Sequence, residues 1–93
     1  MTDYTWDRRK AADNLRKHGV SFAVAVEVFA DPCVDTSPDE SHSEGEERYR
    51  SLGLTRGATV LLVVHTTTEA PVVRIISARR ATPRERRAYH DQA

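Results

Sequence analysis

The stretch that decides the fold is residues 6–22, WDRRKAADNLRKHGVSF, near the start of the 93-residue chain. Set on a helix, it places one acid, one amide and two lysines along a single stripe: Asp7, Lys10, Asn14 and Lys17. Their spacing of three, four and three residues matches the helical period. Asp7 is a suitable N-cap, and Gly19 stands where a left-handed C-cap is expected. The pattern predicts a first helix from about Asp7 to His18, with a polar stripe that suits an anion such as a phosphodiester.

Neighbouring signals define the rest of the N-terminal half. Tyr4 to Trp6 is predicted to form a short edge strand. Ser21 is placed to cap a second helix, with Phe22, Ala25, Val26 and Phe29 as its apolar stripe, and Asp31-Pro32 ends it. Residues 35–47 are acidic and contain Ser-Pro and glycine, so we expect a loop there.

The C-terminal half predicts strands followed by a helix. Strands are expected at about residues 48–54, 59–66 and 72–77, joined by short turns. Thr82-Pro83-Arg84-Glu85 is a capping box that opens a last helix. The sequence therefore predicts one α+β domain over residues 1–93, with two N-terminal helices, an antiparallel meander and a C-terminal helix.

Composition narrows the class of protein. No window approaches the roughly 18 apolar residues of a membrane helix, and the N-terminus lacks the pattern of a secretory signal. Cys33 is the only cysteine, which excludes an internal disulfide, and no Cys/His spacing indicates zinc. We expect a cytoplasmic protein that needs no metal or other cofactor.

The charges are segregated although the formal net charge is zero. Residues 31–47 hold seven acids and no lysine or arginine, whereas residues 48–93 hold nine arginines against three acids. This asymmetry permits a basic face for a polyanion and a separate acidic rim. The alternative is that these side chains only solvate the surface. A pI of 6.9 predicts modest, salt-sensitive affinity for such a polyanion.

Several motifs occur in a fixed order along the chain: Trp6-Asp7, Lys10-Ala11, Asn14, Lys17-His18-Gly19, Phe29 with Asp31-Pro32, the run Arg74 to Arg79, and Glu85-Arg86. In this order they resemble the BrnT family of toxins from type II toxin–antitoxin pairs. The resemblance extends from about residue 4 to about residue 89. It implies a small RelE-like ribonuclease fold that a cognate antitoxin keeps silent.

The resemblance also implies a site. Its expected catalytic residues are Lys17, His18, Glu47, Arg48 and Arg79. We expect further contacts to RNA from Lys10, Asn14, Arg80 and Arg86. One departure is that the turn after His65-Thr66 lacks an arginine that the family commonly carries there. If that arginine binds phosphate, this protein relies on Arg79 and Arg80.

The residue types suit metal-independent cleavage of RNA. In that reaction the 2′-hydroxyl attacks the adjacent phosphorus, which requires a base, an acid and cations for the charge on the phosphorane. A histidine, a glutamate, two lysines and several arginines are available at the implied positions. Which of them is the general base stays open, as does a role for His65 or His42.

Each candidate also has a purely structural interpretation. His18 can complete a helix C-terminus, and Lys10 and Lys17 can form a solvated helix face. Glu47 and Arg48 can be an ordinary surface ion pair. Glu85 is explained by the capping box, so we leave it out of the catalytic set.

Strand alternation raises a problem for two arginines. It places Arg74 and Arg79 on opposite faces of a flat strand, so they share a site only if a bulge or the following turn intervenes. We favour Arg79, at the strand end beside the last helix. Arg74 is then free to pair with a carboxylate inside the protein.

Two functions are weighed. The first is a ribonuclease toxin that blocks translation by cutting RNA. By analogy with the family, its antitoxin is a small dimeric DNA-binding protein, and two toxins bridged by an antitoxin dimer form a heterotetramer. The alternative is a non-catalytic module that binds the antitoxin as a corepressor. A DNA-binding domain acting alone is disfavoured because the helix spacing is not that of a helix-turn-helix.

Overall fold

The computed structural model describes residues 2–40, 47–67 and 71–92. Its elements, in chain order, are β1 (Asp3–Trp6), α1 (Arg8–His18), α2 (Phe22–Ala25), a 3-10 helix (Val26–Ala30), β2 (Asp35–Pro38), β3 (Arg48–Leu54), β4 (Val60–Thr67), β5 (Val72–Arg80) and α3 (Pro83–Gln92). The predicted α+β class is confirmed, but a strand precedes the two N-terminal helices. The second of these is α-helical for only four residues and then tightens into the 3-10 helix.

The five strands form one sheet in the order β1-β5-β4-β3-β2. β1 is parallel to β5, and all other neighbours are antiparallel. The predicted meander is therefore the centre of the sheet, and the predicted strand Tyr4–Trp6 is one of its edges. No helix in the described ranges is long and apolar enough to cross a membrane.

The loop predicted for residues 35–47 is wrong at its start, because Asp35–Pro38 is the edge strand β2. Aspartate, serine and proline have low strand propensity, so the local sequence conceals this strand. Its pairing with β3 supplies the order, and Thr36 shares a 2.8 Å hydrogen bond with the Ser51 hydroxyl. Proline is tolerated because one side of an edge strand needs no ladder donor. Residues 41–46, which include His42, lie outside the described part of the chain.

A bulge in β5 decides which way its side chains face. Val64 lies opposite Ser77, and His65 lies opposite Ile75, so one residue between them is extra. As a result Ile75 and Ala78, three residues apart, both enter the same core. Directly opposed residues share a face, as do alternate residues of one strand.

The bulge brings Arg74 and Arg79 to the same face of the sheet. Arg79 is opposite Leu62, and Arg74 is opposite Thr66, which is four residues further along β4. Strict alternation would place these arginines on opposite faces of a flat strand, and the bulge is the exception that the sequence analysis allowed. Arg74 is exposed at the surface, so its side chain does not lie inside the protein.

The sheet is covered unequally on its two sides. One side, the helix-pair face, packs against α1, α2 and the 3-10 helix around Phe22, Val28, Leu61, Val63 and Ile75. The opposite side, the arginine face, packs against α3 through a smaller cluster: Leu52, Val60, Leu62, Ala81 and Tyr89. This cluster does not extend over the whole face, and a groove lies beside it.

The predicted helix ends are confirmed. The Asp7 carboxylate accepts hydrogen bonds from the N–H groups of Arg9 and Lys10 at 2.8 and 3.0 Å. Gly19 ends α1 with a φ of 68°, a left-handed conformation that favours glycine. At α3, Thr82 and Glu85 cap each other's N–H groups at 2.8 and 3.1 Å, as a capping box requires. The capping box fixes the start of α3 at Pro83, shortly after β5 ends at Arg80.

Candidate functional site

A groove lies on the arginine face between the start of β3 and the end of β5. Arg48 and Arg50 of β3 and Arg79 of β5 line it together with the buried Asp39, over a floor that includes Leu62 and Val64, and its volume is about 370 Å³. We call it the arginine groove. Arg48 and Arg50 share a face because they are two residues apart on one strand. Arg79 lies two strands away, and the register of β4 places it two residues further along than Arg50, because Arg50 is opposite Val64 and Arg79 is opposite Leu62.

Glu85 connects the two arginine-bearing strands. Its carboxylate receives two hydrogen bonds from the Arg79 guanidinium, at 2.8 and 3.0 Å, and lies 3.4 Å from Arg50. The bonds from Arg79 are the largest cause of the lowered pKa of Glu85, about 2, and they raise the pKa of Arg79. Glu85 is therefore a fixed anion that orients arginines and does not exchange protons near neutral pH.

Arg50 was not identified from the sequence as a groove residue, and the contact between Glu85 and Arg79 was not identified either. Arg50 was detectable, because alternation along β3 puts it on the face that Arg48 occupies. The capping box explained Glu85 completely by local rules, so nothing in the sequence required a second partner. Only the approach of β5 to the start of α3 adds Arg79 to that carboxylate.

The predicted site residues do not all meet. Lys10, Lys17 and His18 are exposed on α1, which packs on the helix-pair face. Arg80 is opposite Leu61 and therefore faces the same side as α1. The structure thus separates these residues from Arg48 and Arg79, which line the opposite face.

Asn14 has a structural environment. It is 6% exposed, and its amide donates to the carbonyl groups of Val20 and Ala78 at 3.0 and 2.8 Å. The side-chain oxygen accepts the Ala78 N–H at 3.1 Å. β1 pairs with β5 only as far as Ile75, so no residue of β1 lies beside Ala78. The Asn14 amide takes the place of that missing strand, because it bonds both the N–H and the carbonyl group of Ala78. These bonds leave little of Asn14 for RNA.

Glu47 and Arg86 are not among the residues that line the arginine groove. The exposed Glu47 carboxylate accepts a hydrogen bond from the Tyr49 hydroxyl at 3.0 Å, and this bond raises the pKa of Tyr49. Glu47 and Arg48 line one hollow at the start of β3, and Arg48 also lines the arginine groove. Arg86 is exposed in the first half of α3, with its guanidinium 3.5 Å from the Ala81 carbonyl.

A model of one protein family, described as "Ribonuclease toxin, BrnT, of type II toxin-antitoxin system", matches residues 6–85. The chain belongs to the BrnT family of ribonuclease toxins. A search of curated proteins finds no match. Among solved structures, the fold is similar to the crystal structure of the Brucella abortus ribonuclease toxin BrnT, with a TM-score of 0.70 and 21% identity over 88% of this chain and 99% of that chain.

Membership of the BrnT family confirms the function predicted from the motifs. The protein is a ribonuclease toxin of a type II toxin–antitoxin system, and such a system includes an antitoxin protein as its partner. The match does not assign the chemistry to residues. That assignment rests on the groove geometry and remains a proposal.

His65 is buried away from the arginine groove of this BrnT-family toxin. It is 4% exposed, its Nε2 atom is 2.7 Å from the Ser51 hydroxyl, and its ring contacts those of Phe29 and Tyr49. Burial lowers its pKa to about 4, so the ring is neutral at physiological pH. It therefore belongs to the core of the helix-pair face. Among the described residues, no group of three or more metal-binding side chains is found.

Proposed function

We propose that the arginine groove binds the phosphodiester backbone of RNA and is the place where this toxin cleaves it, without a metal ion. The observation that supports this proposal is the convergence of Arg48, Arg50 and Arg79 on an open groove. Guanidinium groups match phosphate oxygens in a bidentate geometry and stabilise charge that develops in a phosphorane. Their anchoring on β-strands fixes their positions before RNA arrives.

Arg79 is the main electrostatic stabiliser in this proposal. Among the described residues, three of the five N–H groups of its guanidinium have partners, two in Glu85 and one in the Arg80 carbonyl at 3.2 Å. Two N–H groups on one edge remain for a phosphate. Glu85 thus orients Arg79 while leaving it able to bind.

Glu47 is the proposed proton acceptor. It is exposed and directly precedes Arg48, which lines the groove, whereas the low pKa of Glu85 makes that carboxylate a poor base. A second basic surface lies on the helix-pair face and consists of Lys10, Lys17, His18 and Arg80. These residues contact RNA only if the RNA strand continues from the arginine groove around the edge of the sheet next to β5. Arg86, exposed on α3, is a further proposed contact to RNA.

The test is RNA cleavage by the purified, antitoxin-free protein, in the presence of a chelator of divalent metal ions and without ribosomes. We compare wild type with Arg79→Ala and with Arg87→Ala, an exposed arginine of the same half of the chain. Wild type is expected to produce fragments ending in 2′,3′-cyclic phosphate. Arg79→Ala is expected to be about 100-fold slower, and Arg87→Ala to differ by less than about twofold. Equal rates for the two variants would remove Arg79 from the site.

The finer parts of the function are proposals that the family membership supports. We propose that cleavage inhibits translation in the cytoplasm and that the cognate antitoxin neutralises the toxin. We also propose a RelE-like relationship of the fold, a dimeric DNA-binding antitoxin, and a heterotetramer of two toxins and two antitoxins. Light scattering of the purified complex tests the stoichiometry directly. A mass equal to one toxin and one antitoxin would contradict the heterotetramer.

A further inference from the structure

Exposed apolar side chains mark a second groove on the helix-pair face. In the described part of the chain, the large hydrophobic residues that stand exposed are Trp6 at 37%, Leu15 at 51% and Val24 at 40%. Two adjoining hollows contain them: Trp6 and Leu15 line one, Leu15 and Val24 line the other, and Ser21 lines both. We call the combined depression the α1–α2 groove.

The α1–α2 groove has the length of a short helix. Trp6 precedes α1 and Gly19 follows it, and both line the hollows, so the groove runs along the whole 11-residue helix. At a rise of 1.5 Å per residue, this is about 16 Å. An amphipathic helix of about three turns presents three or four apolar side chains over that distance.

The walls of the groove are held rigidly. The Asn14 amide bonds the Val20 carbonyl, which fixes the turn between α1 and α2. The Trp6 ring meets the Phe22 ring edge to face, with centroids 6.0 Å apart. A partner therefore meets a formed surface and does not have to order it.

The two walls differ in charge. α1 carries five lysine and arginine residues and a single acid, Asp13, which pairs with Arg16. The opposite wall, residues 22–30, carries one charged side chain, Glu27, whose carboxylate accepts the Arg56 N–H at 3.0 Å. The groove is thus apolar along its floor, with Arg56 and Arg80 among its lining residues and the lysines and arginines of α1 as a cationic rim beside it.

We propose that the α1–α2 groove binds an acidic amphipathic helix of the cognate antitoxin. This inference rests on the proposed function, because it takes the antitoxin as the partner. Apolar residues of that helix cover Trp6, Leu15 and Val24, and its carboxylates face the cationic rim of α1. An apolar helix fits this groove better than RNA does, because Trp6 is the one exposed aromatic ring among the described residues that line it, and the exposed Leu15 and Val24 side chains offer bases no stacking plane. Since the arginine groove is on the opposite face, the helix anchors the antitoxin without touching the proposed cleavage site.

The experiment measures the Kd between the full-length toxin and its cognate antitoxin by calorimetry. The test variants are Leu15→Asp and Val24→Asp, which place a carboxylate in the groove. The matched control is Ala88→Asp, which adds the same charge at an exposed position on α3. Antitoxin-free RNA cleavage and the melting temperature are measured for every variant.

We expect Kd to rise at least tenfold for Leu15→Asp and for Val24→Asp and to change less than twofold for Ala88→Asp. RNA cleavage is expected to stay within twofold of wild type in all three. An unchanged Kd in both groove variants overturns the proposal. Slower RNA cleavage with unchanged Kd also overturns it, by assigning the groove to RNA. If the wild-type protein cleaves no RNA but the groove variants bind the antitoxin with a raised Kd, the proposed cleavage site is contradicted and this inference is supported.

Discussion

Replacing Asn14 with alanine tests whether the helix stripe serves folding or RNA binding. The substitution removes three hydrogen bonds to buried backbone groups of Val20 and Ala78. A buried polar group left without its partner costs about 1–3 kcal/mol, and mutual relaxation recovers part of this. We therefore expect a loss of about 3 kcal/mol in the free energy of unfolding. For a domain of this size, that corresponds to a decrease in melting temperature of roughly 12–24 °C.

The assay combines thermal unfolding with RNA cleavage. Lys10→Ala and Lys17→Ala are matched controls, because both residues are exposed neighbours of Asn14 on α1. They are expected to change stability by less than about 0.5 kcal/mol. At a temperature where Asn14→Ala remains folded, its cleavage rate is expected to equal that of wild type. A decrease of less than about 3 °C in melting temperature, together with slower cleavage, would refute the reasoning and return Asn14 to the RNA-binding set.

Three further predictions concern His65, Gly53 and Glu85. The folded-state pKa of His65, about 4, lies below its ordinary value of 6.5, so its stabilising contribution is complete above pH 6.5 and decreases as pH falls towards 4. We expect urea denaturation to show up to about 3 kcal/mol of loss over this range, and a His65→Gln variant that unfolds at the same urea concentration at pH 5 and pH 7 would support it. Gly53→Ala places a Cβ atom 2.8 Å from the Val28 Cβ atom, and this overpacking is expected to lower the free energy of unfolding, measured by urea denaturation, by about 1–3 kcal/mol. Gly57→Ala is the control, because its Cβ atom has no contact under 3.8 Å. Glu85→Gln is expected to lower kcat for RNA cleavage without raising KM, because Arg79 loses its orienting charge while the groove becomes more cationic; an unchanged kcat would contradict this role.

Local sequence rules predicted most of the secondary structure. The caps at Asp7, Gly19 and Thr82 depend on residues within three or four positions of one another, so the chain signals them without reference to the rest of the fold. The central strands were predicted because β3, β4 and β5 are rich in residues that favour strands and are separated by turn signals. The order of the motifs, with no help from geometry, was enough to indicate the family.

The candidate site was predicted only in part. Arg48 and Arg79 meet at one groove as expected, but α1 presents Lys17 and His18 on the other side of the sheet. A helical stripe predicts which residues lie together on a helix. It does not predict which face of a sheet that helix covers.

Tertiary structure alone decided the remaining features, because each depends on partners far apart in the chain. The bulge between Ser77 and Ile75 sets the faces of Arg74 and Arg79, and it arises from pairing with β4. Asn14 completes the edge of β5 at Ala78, 64 residues away. β2 is ordered by pairing with β3 although its own residues disfavour a strand. By itself the sequence determined the helix ends, the central strands and the family, since these follow from short-range chemistry and residue order; the assembly of the sheet determined which charges meet.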